Sequence, residues 1–258
     1  MKAFFFKLLF LISFTTLFLS CKNETTATIS EINIGNGNFK FPIISLRNEN
    51  AKKSINDYLI LSIGKRDLDS LKNELIENQK KIDTQGWEGI TSIDYKVNCN
   101  SDNVLSITLS HTYMGPYPTD YSKSFNFDLK TGYNLGLNQF INSSKKVDFR
   151  KLIASDIKER LDNECNKIPI DAWESIKRDW NTALGKAFEM NDGENDTFNL
   201  DDFTFSESGI TFTINTVELP HVFGCYIPSN IYYYSWEKLK PFLLPDSPIA
   251  LLVNKKTK

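Results

Sequence analysis

Ile93-Asp94-Tyr95-Lys96-Val97-Asn98-Cys99, the turn Asn100-Ser101-Asp102-Asn103, and Leu105-Ser106-Ile107-Thr108-Leu109-Ser110-His111-Thr112-Tyr113 decide the fold. Apolar and polar residues alternate on both sides of the turn, the period of a half-buried strand. Asn, Ser and Asp supply the turn chemistry between them. Thr119-Asp120 leads into a third alternating run, Tyr121, Lys123, Phe125, Phe127 and Leu129. The three runs read as an antiparallel meander. Asp128-Leu129-Lys130-Thr131-Gly132 then reads as a hairpin turn with Gly132 in the left-handed position.

Outward from the meander, the period changes. On the N-terminal side, Ile32 and Ile34 alternate before the turn Gly35-Asn36-Gly37-Asn38. Phe39 and Phe41 alternate before Pro42, which points to an edge strand. Asn48 is placed to cap a helix with apolar face Ala51, Ile55, Tyr58 and Leu59, and Gly64 to stop it. Leu68, Leu71 and Leu75 give a second helix near Asp67 to Lys80. On the C-terminal side, Phe149, Ile153, Ile157 and Leu161 are spaced for a helix, as are Trp173, Ile176, Trp180, Leu184 and Phe188. Strand alternation returns at Phe203 and Phe205, at Ile210, Phe212 and Ile214, and at Ile231 to Tyr234. Trp236, Leu239 and Phe242 suit a short helix that Pro245 ends. Runs of strands and runs of helices without regular alternation predict an α+β fold. The expected form is an antiparallel sheet, the meander plus the C-terminal strands, with helices packed on one face.

The chain opens with an address. Residues 1–20 read MKAFFFKLLFLISFTTLFLS, with Lys2 and Lys7 before an apolar run and small Ser20 before Cys21. This is the secretory layout, not a core helix. Leu19-Ser20-Cys21 resembles the lipobox of bacterial lipoproteins, in which the chain is cut before Cys and the thiol carries a diacylglycerol. The looseness of the match looks like lipoproteins of Bacteroidota. The competing reading is an ordinary signal peptide with an incidental Cys. No other run approaches the roughly 20 apolar residues of a spanning helix. The expected organisation is a signal peptide over 1–20, a tether over 21–28, a small α+β segment over 29–86, a main α+β domain over 87–246 and a tail over 247–258. The expected localisation is the cell envelope, extracytoplasmic and lipid-anchored, with the outer membrane as the expected membrane.

Composition excludes several classes. With 41% apolar and 24% charged residues the chain is globular rather than disordered. A net charge of −2 leaves no electrostatic footprint for nucleic acid. Lys2 and Lys7 leave with the signal, so 28 basic residues then face 32 acidic ones and the net charge is −4. Two His and four Cys leave little material for a zinc cluster or a disulfide scaffold.

Two stretches carry a family resemblance. The first is Tyr113-Met114-Gly115-Pro116-Tyr117-Pro118 with Phe125-Asn126-Phe127-Asp128-Leu129-Lys130-Thr131-Gly132 and Leu137-Asn138-Gln139-Phe140. The second is Phe203-Thr204-Phe205 with Gly209-Ile210-Thr211-Phe212, Glu218-Leu219-Pro220-His221, Gly224 and Trp236-Glu237-Lys238-Leu239. Together they resemble an extracytoplasmic domain found in the ectodomain of the lysozyme-sensing anti-sigma factor. The same domain occurs beside peptidoglycan deacetylase domains and in envelope lipoproteins. The resemblance covers roughly Ile90 to Leu244 and implies a fold, not a chemistry. The family often has a Gly-Gly-small-His-Pro turn, and here Tyr117 stands where that His is expected. Without a cytoplasmic segment, a direct anti-sigma role is not expected of a chain that starts at Cys21.

Candidate chemistry is sparse. His111 ends the apolar face of its strand, where a satisfied structural His is the ordinary reading. Glu218 and His221 are spaced for one helix face, but Pro220 argues against a helix. A zinc site needs three or four placed ligands, so no metal is expected. Asp192, Glu194 and Asp196 begin an EF-hand spacing, but Thr197 and Phe203 fall where Gly and Glu belong. There is no nucleophile elbow and no phosphate loop, and no cofactor is expected. The aromatics are richer: Tyr113, Tyr117 and Tyr121 cluster around Pro116 and Pro118 and, with His111, form the ligand-binding candidate. Of the cysteines left after Cys21, Cys99 and Cys225 are the preferred disulfide pair, with all thiols reduced as the competing reading.

These features lead to the expectation of a non-catalytic binding module for an envelope or host-derived protein or glycan, held to the membrane by its N-terminal lipid. One alternative is a cell-wall or glycan hydrolase using His111 or His221 with a carboxylate such as Glu218. Another is a structural subunit of an envelope complex.

Overall fold

The computed structural model describes residues 25–35, 37–85, 88–165, 200–214 and 229–255. Among them, a five-stranded sheet has the spatial order β1 (Thr28–Ile34), β2 (Phe39–Ser45), β3 (Gly89–Ser101), β4 (Val104–Met114) and β5 (Pro118–Asp128). A second sheet of three strands holds β6 (Phe203–Ser206), β7 (Gly209–Thr213) and β8 (Ile231–Ser235). The helices are α1 (Glu49–Ser62), α2 (Leu68–Gln85), α3 (Lys146–Cys165), α4 (Trp236–Leu239) and α5 (Ala250–Asn254). The fold is α+β, as the alternation and helical periods predict.

The meander forms where it is read. Asp102 and Asn103 both take positive φ, 55° and 70°, which closes a two-residue turn between β3 and β4. Register then places His111 opposite Ile93 on one side and Tyr121 on the other. Alternation divides the sheet between two cores. Leu105, Ile107 and Leu109 of β4 join Phe125 and Phe127 of β5, Phe39, Phe41 and Ile44 of β2, Ala51, Ile55 and Leu59 of α1, and Leu71 and Leu75 of α2. Val104, of opposite parity, joins Phe149, Ile153 and Ile157 of α3 with Phe203, Phe205, Phe212, Tyr234 and Trp236. Each such side chain stabilises by about 1.5–3 kcal/mol when fully buried, so the two cores share the load.

Local signals hold at their own positions. Asn48 caps α1 by accepting from the Asn50 and Ala51 amides. Gly132 sits at φ 77°, and a Cβ there would meet the Ala51 backbone at 2.7 Å. Asp128 closes that turn by accepting from the Lys130 amide at 2.9 Å and the Thr131 hydroxyl at 2.8 Å.

Other expectations need correction. β2 is second in the sheet, not at its edge. Pro42 is tolerated because β2 meets β3 at Phe39 and Ile93 alone. Further along β2, Asn56 of α1 stands in for the missing strand, accepting from the Ile44 amide at 2.9 Å and donating to its carbonyl at 2.8 Å. Parallel pairing of β2 with β3 makes the large sheet mixed, and the C-terminal strands form a sheet of their own. The segment over 29–86 shares that large sheet and one core with β3–β5, so the sheet has no break near residue 86. Thr25 and Ala27, read as tether, are hydrogen-bonded to Asn103 and Asn100 at 2.9 Å each. Ile249, Leu252 and Val253, read as tail, are buried in the second core. The helix expected over 170–190, the acidic loop at 192–196, and Cys21, Glu218, His221, Gly224 and Cys225 lie outside the described residues.

Candidate functional site

β4 carries one continuous face outward from the core. Leu105, Ile107 and Leu109 on it are buried, His111 is partly exposed, and Tyr113 is 40% exposed. Cover from the helices therefore thins along the strand, and the face opens into a cavity of about 410 Å³. His111, Tyr113 and Tyr121 line it from the sheet, with Gly89 and Ile90 at the start of β3. Lys65, Glu74 and Asn78 close the opposite wall.

Each wall has a local cause. Gly64 takes φ 75° and ends α1, which turns Lys65 back so that its amide donates to the Ile60 carbonyl at 3.2 Å. Lys65 then pairs with Glu74 of α2 at 2.5 Å. Asn78 occupies the next core step of α2 after Leu71 and Leu75, and is 4% exposed. Its amide reaches the Ile90 carbonyl at 3.5 Å, the outer limit of a hydrogen bond. On the sheet, His111 and Tyr121 are direct cross-strand partners. Their rings stack with centroids 4.9 Å apart and planes 17° from parallel. Burial pushes the His111 imidazole below its usual value, so the ring is neutral at pH 7.

Three of the ligand-binding candidates thus come together: His111, Tyr113 and Tyr121. Tyr117 does not line the cavity; it projects from the Gly115–Tyr117 loop at 83% exposure. Lys65, Glu74 and Asn78 escaped the sequence reading. Asn78 left a signal there, a polar residue at the heptad step where the apolar face of α2 calls for another Leu. The chemistry available is aromatic faces, a hydroxyl-bearing rim, a neutral imidazole, one amide and one ion pair. Such a set recognises a polar ring or side chain by stacking and hydrogen bonds.

Cys99 is a buried free thiol, and Cys225, its expected disulfide partner, lies outside the described residues. Burial, helped by the Glu207 and Asp102 carboxylates, pushes the thiol up to about 11. Among the described residues no group of three or more His, Cys, Asp and Glu side chains is placed to hold a metal ion.

A protein of the DUF3298 family from Bacteroides fragilis has a similar structure, with a TM-score of 0.52 at 15% identity over 92% of this chain and 98% of that one. A DUF3298 protein from Pseudomonas aeruginosa PAO1 aligns with a TM-score of 0.48 at 13% identity over 86% of this chain and 94% of that one. No protein-family model and no curated protein matches the sequence. The likeness to the first of these structures is one of fold, shared with a domain of unknown function.

Proposed function

We propose that this chain is a lipid-anchored protein of the bacterial envelope whose folded part is a non-catalytic binding module. Its ligand is an envelope or host-derived glycan or protein, taken at the cleft between β4, β5 and α2. The observation that supports this reading is the convergence of His111, Tyr113 and Tyr121 on one open cavity beside Asn78. A stacked His–Tyr pair presents a flat π-face against which a sugar ring or a planar side chain packs. The anchor is Cys21, with the diacylglycerol expected from Leu19-Ser20-Cys21. The test is calorimetric titration with soluble peptidoglycan fragments and with fractionated envelope protein. Tyr121→Ala should weaken binding at least about tenfold, the loss expected from about 1.4 kcal/mol at a central aromatic. Unchanged affinity in Tyr121→Ala and His111→Ala would rule out this cleft.

A second reading, a glycan hydrolase, is favoured by one observation: Glu74 and His111 line the same cavity. Against it, Glu74 is paired with Lys65. Activity on peptidoglycan that Glu74→Gln abolishes while leaving ligand affinity intact would establish the hydrolase instead.

A further inference from the structure

The described chain is pinned at both ends to one turn. Thr25 donates its amide to the Asn103 side chain at 2.9 Å, and its carbonyl accepts from the Asn103 amide at 3.1 Å. Two residues on, Ala27 makes a matching pair with the Asn100 side chain, at 2.9 and 2.8 Å. At the other end of the chain, Lys255 donates to both carboxylate oxygens of buried Asp102, at 3.1 and 3.3 Å. Asp102 and Asn103 are the turn itself. The cleft lies toward the opposite end of β4. Val104 starts that strand and Met114 ends it, and His111 stands seven residues from Val104. At the rise of an antiparallel strand that is about 24 Å, and the Gly115–Tyr117 loop is farther still.

We infer that the domain stands on the membrane with the β3–β4 turn as its foot and the His111–Tyr121 cleft facing away from the bilayer. The inference rests on the lipid anchor at Cys21. From Cys21 to Thr25 there are four residue steps. Fully extended, they span about 14 Å at most, so the turn cannot leave the headgroup region by more than that. The sequence next to the pinned residues is basic: Lys22 lies three residues before Thr25, and Lys256 and Lys258 lie one and three residues after Lys255, against Glu24 and Asp102, whose carboxylate is already paired with Lys255. Lysines next to a lipid anchor are drawn to anionic headgroups and hold the foot down. A ligand then reaches the cleft from the aqueous side, without competition from the membrane surface.

The full lipidated chain, reconstituted in vesicles with a quencher on the lipid headgroup, tests this. A fluorescent non-natural residue is placed at exposed Thr28, with exposed Thr26 as a second position should that variant fail to fold, or at Tyr117. Quenching should be several-fold stronger at the foot than at Tyr117. Equal quenching, or stronger quenching at Tyr117, overturns the orientation while leaving the anchor in place. Failure of the unlabelled chain to float with vesicles, or flotation unchanged in Cys21→Ser, overturns the anchor and the orientation with it.

Discussion

Asn126 of β5 donates its side-chain amide to the Phe203 carbonyl of β6 at 2.7 Å, inside the protein. Among the described residues β6 is at the end of its sheet, with a strand hydrogen-bonded along one edge only. Ser106 of β4 completes the match by accepting from the Phe205 amide at 3.0 Å. Two side chains of the large sheet thus satisfy backbone groups that a neighbouring strand would otherwise serve, and they hold the sheets together.

Asn126→Ala should lower stability by about 1–2 kcal/mol, because a buried carbonyl loses its partner. Asn126→Asp should cost more, since a carboxylate would be buried against that carbonyl oxygen. Urea denaturation of the three proteins checks this. An Asp variant as stable as the parent would remove the bond from the account of sheet packing.

Gly132→Ala should cost more than about 1 kcal/mol. The left-handed backbone at φ 77° strains any L side chain, and the added Cβ would meet the Ala51 backbone at 2.7 Å. Thermal unfolding reads the loss. Gly136→Ala is the control, because a Cβ there meets nothing within 4 Å.

His111 should make stability fall in mildly acidic solution. Burial holds its native value below 6.5, so the unfolded chain binds the proton first. Stability is then fully present above pH 6.5 and is lost as the pH drops from there toward the native value. Denaturation midpoints at pH 7 and pH 5 should separate more in the parent than in His111→Gln. The same separation in both would show that other groups carry the acid sensitivity.

Cys99 should resist alkylation in the folded protein at pH 8. Its thiol, pushed up to about 11, stays protonated and is buried in the second core. Mass spectrometry of the peptide that contains it should show modification only after unfolding. Rapid labelling of the native protein would contradict the burial.

What was legible in the sequence was local. The Asn48 cap, the Asp128–Gly132 turn and the alternation of Leu105, Ile107 and Leu109 depend on near neighbours, and they stand where their residues imply. Long-range substitution was not legible. Nothing near Pro42 tells that Asn56 would serve Ile44 from α1, and nothing near Phe203 tells that Asn126 would serve it from β5. For the cleft, the sheet residues follow from strand parity, whereas Lys65 and Glu74 arrive through helix packing. Ile249 to Val253 were hidden by Pro245, which read as the end of the last helix, although the chain packs a further short helix beyond it.

Because Thr25 and Lys255 meet at the Asp102–Asn103 turn, the ends of the described fold are neighbours in space. A short linker would join them, and new ends opened at the exposed Gly115–Tyr117 loop would leave both cores whole. The fold is therefore suited to circular permutation, with the order of its elements along the chain free to change while their packing is kept.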